Sequence, residues 1–536
     1  MKKYIIIIIA IVGIGLSGCE EWLDVNQNPN DATSATPDLV LPGVLTSWAS
    51  DQTGLNTTMG AWMGYWAHAG GWSGWYSEKK YEITSSYYPG AFNGYYPGVL
   101  TDTKFIRTNS GTNVVYPAIT DVVDAWYYSR LVDVYGDVPY TEANTSDKTL
   151  TPKYDKGSDI YADLIKRLDN AMAAFDNAVN APDHATNAIY AIKAASDIVF
   201  AGDFTKWKQL ANTLKLRLVM RMTNVKSAAE LKAMVDNTVS YGYITANVTA
   251  SPGYAASSGK TNPLWNQFGK SFDGVNTNAN TQYILNAYFH EKLKRLADPR
   301  LAKFFFAPPA ASGTLKSFVL GTDGDLVAQP NSTQAANYSW VLIAADAAVA
   351  SGKATGNGAL DRQVIFLLSE AQFLQAEAQV RGIITTGSAQ TSYTAGVTTS
   401  LAAAKVASAD QTTYLAQAAV AWDNAASTTD KIIKIIDQKY IANYFLNHYE
   451  SYNDYRRTGY PNPKGLGPNF EMLSYYPSGI IRRQIPRLFP YPNEEFTLNK
   501  VNVQEAVSRT GIEFTTSKYP FDARVFWDNA PLTITY

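Results

Sequence analysis

Cysteine occurs once in 536 residues, at Cys19. A lone cysteine excludes an internal disulfide and, if it is consumed near the N-terminus, a thiol nucleophile in the rest of the chain. The four histidines, His68, His184, His290 and His448, are scattered, and none falls in an HExxH pattern. GxSxG is absent, so a nucleophile elbow finds no support. No acidic run has the spacing of a calcium loop, and no cofactor is expected. Charged residues are 17% of the chain and the formal net charge is −2, which argues against nucleic-acid binding. After Leu16 no stretch of some eighteen apolar residues offers a membrane span.

One short apolar run is present. Lys2 and Lys3 precede Ile5 to Leu16, a run of about a dozen residues, the length of a signal-peptide core. It ends in Leu16-Ser17-Gly18-Cys19, small residues placed before a cysteine as lipoprotein processing requires. The expected organisation is a signal peptide over 1–18, a lipidated tether over 19–37 anchored through Cys19, and one domain over 38–536. Acyl chains on Cys19 gain about 0.8 kcal/mol per buried methylene and would hold the protein on a membrane.

Apolar residues at helical spacing mark several segments. Asp159 to Val179 carries Ile160, Tyr161, Leu164, Ile165, Leu168, Met172 and Phe175, with Ser158 placed to cap. Phe204 to Met222, Gln363 to Arg381 (closed by Gly382) and Lys431 to Tyr449 read the same way. Between them, 246–282 and 307–339 are rich in Gly, Ser, Asn and Pro, as long functional loops are. Pro461 to Pro492 reads as irregular structure. There is no strict 34-residue repeat and no strand–helix alternation of a doubly wound sheet.

Aromatics are plentiful, with 35 Tyr and 12 Trp. The densest stretch runs from Trp62 to Tyr96. Its start, through Trp66, repeats at helical spacing and is expected in the core. Trp72, Trp75 and Tyr76 lie among glycines, as in a loop. Flat rings beside Asn and Ser suit a pyranose, whose C–H face stacks while its hydroxyls seek polar partners. Gly253 to Thr261 has the look of a phosphate loop, but five residues separate its glycines where four are needed.

A set of motifs points to a family. Cys19 to Asn30 reads CEEWLDVNQNPN, and Tyr135 to Tyr140 reads YGDVPY. Trp207, Asn212, Leu214, Lys215, Arg217 and Arg221 share one long helix, and Asp298-Pro299-Arg300 follows. Ser369-Glu370-Ala371, Phe373-Leu374 and Ala376-Glu377-Ala378 fall on a second helix; Tyr393, Gly396 and Ser400 fall on the next. Gln438-Lys439-Tyr440, Tyr455 to Pro461, Ile485-Pro486-Arg487 and Tyr491-Pro492 complete the order. Together they resemble the SusD/RagB family of outer-membrane nutrient-binding lipoproteins, over nearly the whole chain after Cys19.

The resemblance implies a mainly α SusD-like fold, with tetratricopeptide-like helix pairs as scaffold and long irregular loops. It implies a location at the cell surface, lipid-anchored in the outer membrane, and a SusC-like TonB-dependent transporter as partner. It implies capture of oligosaccharide without catalysis. Peptide ligands on the same scaffold are the alternative, and a surface glycoside hydrolase, which needs two carboxylates across the scissile bond, is a weaker one. By region, the family's ligand loops correspond here to Trp72, Trp75 and Tyr76, then Tyr254, Trp265, Asn266, Phe272 and Trp340. Glu370, Glu377, Arg456 and Arg457 are expected to hold the fold together rather than touch ligand.

Overall fold

The computed structural model describes residues 35–54, 56–68, 76–145, 149–255, 257–269, 271–272, 275, 277, 282–306, 315, 317–320, 340–341, 361–467, 470–474, 484–514 and 519–528. The leader, Cys19 and the expected tether up to residue 34 lie outside them, while the tether's last residue, Pro37, already belongs to the first described helix. The principal helices are α1 (Pro37–Asp51), α2 (Asn56–Trp62), α3 (Val99–Asn109), α4 (Val115–Tyr135), α5 (Gly157–Asn180), α6 (Phe204–Arg221), α7 (Leu368–Val380), α8 (Ala389–Ala403), α9 (Thr428–Ala442) and α10 (His448–Thr458). The strands are short: β1 (Trp66–His68), β2 (Val138–Pro139), β3 (Tyr154–Asp155), β4 (Val248–Ala250), β5 (Tyr283–Leu285), β6 (Phe305–Phe306), β7 (Trp340–Val341) and β8 (Gln363–Phe366). Every pairing between them is antiparallel. The fold is mainly helical, as expected. None of the described helices is long and apolar enough to cross a membrane.

Helices pack in sequence, α4 on α5, α5 on α6, and α7 on α8. The α5 stripe from Ile160 to Phe175 is buried, and it meets α4, whose side chains are buried on nearly all sides. Trp207 of α6 joins this layer, stacked 6.5 Å from Trp48 and 6.2 Å from Phe175, with its indole N–H donating to Asp197 at 2.8 Å. A smaller apolar cluster holds α7, α8 and α9 through Phe373, Tyr393, Val397, Leu401 and Ile435. Gly396 permits the close approach there, since a Cβ would lie 2.9 Å from the Phe373 ring.

The helix starts and stops explain three departures from the sequence reading. Ser158 does not cap α5, because the helix begins one residue earlier; instead Asp137 accepts from the Gly157 N–H at 2.8 Å. The YGDVPY turn therefore caps the following helix from a distance. The Gln363 to Arg381 segment is not one helix. Its β-branched start forms β8, paired to β4 with Val248 opposite Phe366, and α7 begins only after the extended Leu367. The Lys431 to Tyr449 segment is also divided. It ends at Ala442, turns through Phe445 at φ 72°, and restarts as α10. His448 fixes the turn by accepting the Phe445 N–H at 2.7 Å.

Buried ion pairs bind the helices to one another. Arg217 of α6 grips Glu370 of α7 with two hydrogen bonds of 2.8 Å. Arg457 of α10 grips Glu377 of α7 at 2.6 and 2.7 Å. Lys439 of α9 pairs with Asp454 of α10 at 2.8 Å, and Arg221 of α6 pairs with Glu450 of α10. Arg456 donates to the carbonyls of Asp133 and Arg487, both at 2.7 Å. These forks satisfy carboxylates and carbonyls inside the protein, the structural duty that the motifs suggested.

Candidate functional site

The candidate site is organised by a four-stranded sheet in the order β1-β5-β7-β6. Trp66 of β1 lies opposite Leu285, and Ile284 lies opposite Trp340 on the other edge of β5. A short helix, Pro263–Phe268, packs beside it: the Phe268 ring is 5.4 Å from Trp66 and 5.3 Å from Tyr283. Asn262 starts this helix by accepting the Trp265 N–H at 3.0 Å, with proline at the first helical position. The Asn262 amide also donates to the Asp361 carbonyl at 3.0 Å, and Gln363 accepts the Leu264 N–H at 3.4 Å, which ties the helix to β8. Chain segments far apart in sequence thus meet around one sheet: the strand Trp66–His68, the 263–268 helix, and the strand Trp340–Val341.

The individual residues fare differently. Trp72 and Trp75 lie outside the described residues. Tyr76 opens the helix Tyr76–Lys80, and Trp340 sits in β7, while the side chains of both lie outside the description. Trp62, Tyr65 and Trp66 are fully buried, as expected, but the helix stops at Trp62 and Trp66 begins β1, so the helical spacing does not extend through it. Trp265 is 5% exposed, and its indole closes against Gly269, where a Cβ would meet ring Cδ2 at 2.7 Å. Tyr254 is half-buried near Arg362. Burial pushes its phenol up to about 12, against the pull of that guanidinium, and its hydroxyl makes no hydrogen bond among the described residues. Asn266 is exposed, its side-chain oxygen 3.4 Å from the Thr261 hydroxyl.

Phe272 is the candidate most open to solvent, at 54%. It rides on a turn held by the Ser271 N–H donating to the Val275 carbonyl at 2.8 Å. Val275, 63% exposed, extends the same apolar tip and carried no sequence signal of its own. A ring standing clear on a pinned turn offers a stacking face, and the helix before it carries an exposed amide at Asn266. This arrangement suits a polyhydroxylated ring.

These features define a mainly helical scaffold with a few short antiparallel strands. A family model described as starch-binding, associating with the outer membrane, matches residues 29–484, and the chain belongs to this SusD-like family. No curated protein matches it. Among solved structures it is similar to a chitin-binding SusD homolog from Flavobacterium johnsoniae, with 22% identity and a TM-score of 0.71, covering 92% of this chain and 99% of that one. It is similar to a SusD homolog from Bacteroides uniformis at 26% identity and TM-score 0.70, over 91% and 99% of the two chains. A SusD-like protein from Bacteroides thetaiotaomicron matches at 21% identity and TM-score 0.70, over 92% and 98%.

Proposed function

We propose that this chain captures oligosaccharides at the cell surface, anchored by lipid on Cys19, and passes them without turnover to a SusC-like TonB-dependent transporter. The observation that carries the reading is the exposed Phe272 ring on the turn that follows the sheet-bound helix, with the exposed Asn266 on that helix six residues earlier in the chain. An aromatic face together with exposed amides is what a pyranose requires, and the family's association with starch points to the same ligand class. The chitin-binding structure from Flavobacterium johnsoniae supports it further. Trp72, Trp75, Tyr76 and Trp340 remain proposed ligand residues on the strength of the family resemblance alone.

The test is a glycan array followed by calorimetry on residues 20–536, with Phe272→Ala, Trp72→Ala and Trp75→Ala alongside. Binding to one oligosaccharide class, weakened by any of these variants with the melting temperature unchanged, supports the reading. Binding to peptide pools and to no glycan replaces it with the peptide alternative.

A further inference from the structure

A second cleft lies where α7, α8 and the α9–α10 turn meet, and neither Phe272 nor Asn266 lines it. Its volume is about 130 Å³, close to the roughly 150 Å³ of a cavity that admits a benzene ring. Phe304, Tyr444 and Phe445 form its apolar side. Phe445 holds φ 72°, a state bulky residues seldom adopt, which often accompanies a binding role.

The rest of the lining includes polar groups and one cation. Leu367 and Ser369 bring the start of α7 into the lining. That helix has no side-chain cap of its own. The Leu368 N–H donates to Asn247, itself in the lining, at 2.8 Å, whereas the Ser369 and Glu370 N–H groups have no acceptor among the described residues. Ser369 is 3% exposed, and its hydroxyl forms no hydrogen bond among the described residues. Ser400 accepts from Arg300 at 2.8 Å, which leaves its own proton to donate. Lys303 in the lining is exposed and forms no ion pair among the described residues. The carboxylate nearest this end of the helix, Glu370, is neutralised by Arg217. A helix start with open amides, a buried unpartnered hydroxyl and a free ammonium together favour an anion.

We propose that this cleft binds a small organic carboxylate of single-ring size, of the uronic acid class. The carboxylate is held by Ser369, the start of α7 and Lys303, and the C–H face of the ring lies on Phe304, Tyr444 and Phe445. The site is independent of the glycan reading, and Phe272→Ala serves as the control that separates the two.

The probes are glucuronate and its neutral counterpart glucose, titrated calorimetrically into residues 20–536. Glucuronate is expected to bind at least about tenfold tighter than glucose, and Lys303→Gln to remove most of that margin. Ala403→Trp, placed at an exposed lining position, blocks the cleft without entering the core and abolishes binding, whereas Phe272→Ala leaves it unchanged. Each variant is checked by its melting temperature. Glucose binding as tightly as glucuronate, binding that survives Ala403→Trp, or no glucuronate binding at all overturns the proposal.

Discussion

Arg457 and Glu377 stand 80 positions apart in sequence and meet through two parallel hydrogen bonds with both side chains only 1% exposed. Removing either partner leaves the other buried charge with one weaker partner, Arg381 for Glu377 and Asp454 for Arg457, and costs up to about 3–5 kcal/mol. Arg457→Leu is therefore expected to lower the urea midpoint sharply. Combining it with Glu377→Leu should recover part of the loss, because the under-paired charge is gone. A double variant no better than the single one would refute this account.

The same pair predicts a dependence on acid. Burial raises the Glu377 carboxyl, but Arg457 and Arg381 outweigh it and hold the group at about 2, below its ordinary 4.5. The unfolded chain takes up that proton first. The stability contribution is complete above pH 4.5 and is lost as pH falls toward 2. His448 adds to this at higher pH. Burial lowers it from 6.5 to about 3, with the Asn56 carbonyl opposing, so its contribution is lost as pH falls from 6.5 toward 3. Urea midpoints should begin to fall below about pH 6.5, and His448→Gln should flatten the upper part of that fall. An unchanged midpoint between pH 6.5 and pH 4.5 would contradict the His448 assignment.

Gly60 and Gly396 mark places where helices leave no room. A Cβ at Gly60 would lie 2.5 Å from the Trp66 ring and 2.7 Å from His448 Nδ1. Alanine at either glycine forces a rigid ring to move, at about 1–3 kcal/mol. The expected result of Gly60→Ala or Gly396→Ala is a lower melting temperature, although alanine is ordinarily the better helix former. A raised melting temperature would show that the rings yield freely.

Two aromatics make opposite predictions. Trp207→Ala opens a cavity under Trp48 and Phe175 and should cost about 3–5 kcal/mol in denaturant titration. Phe272→Ala removes an exposed ring and should leave stability within about 0.5 kcal/mol while weakening glycan binding. Loss of stability in Phe272→Ala would place that ring in the fold rather than at the ligand.

The sequence made α5 and α6 legible because their apolar stripes keep one period from end to end. It misled where the signal was local and the cause distant. Val364 to Leu368 is a continuous apolar run, which fits strand and helix alike. Its strand state depends on β4, more than a hundred residues earlier in the chain. No propensity predicts a left-handed Phe445, so the break between α9 and α10 was invisible. The aromatic wealth of the candidate site was plain, but not which rings face outward. Trp265 and Phe272 occupy similar sequence surroundings, yet one is closed against Gly269 and the other stands in solvent. The family motifs were read correctly as internal contacts because arginines and carboxylates at fixed helical positions have few other uses.

The buried pairs Arg217–Glu370, Arg221–Glu450, Arg457–Glu377 and Lys439–Asp454 draw no member from 251–282. Leu264 and Phe268 are tied into the core, but the turn beyond them, which carries the proposed recognition face, owes nothing to those ion pairs. Substitutions, insertions and deletions there can accumulate while the helices keep their register. Inheritance of the frame and turnover of the loop become separate evolutionary processes, and a lineage can change its diet without redesigning its scaffold.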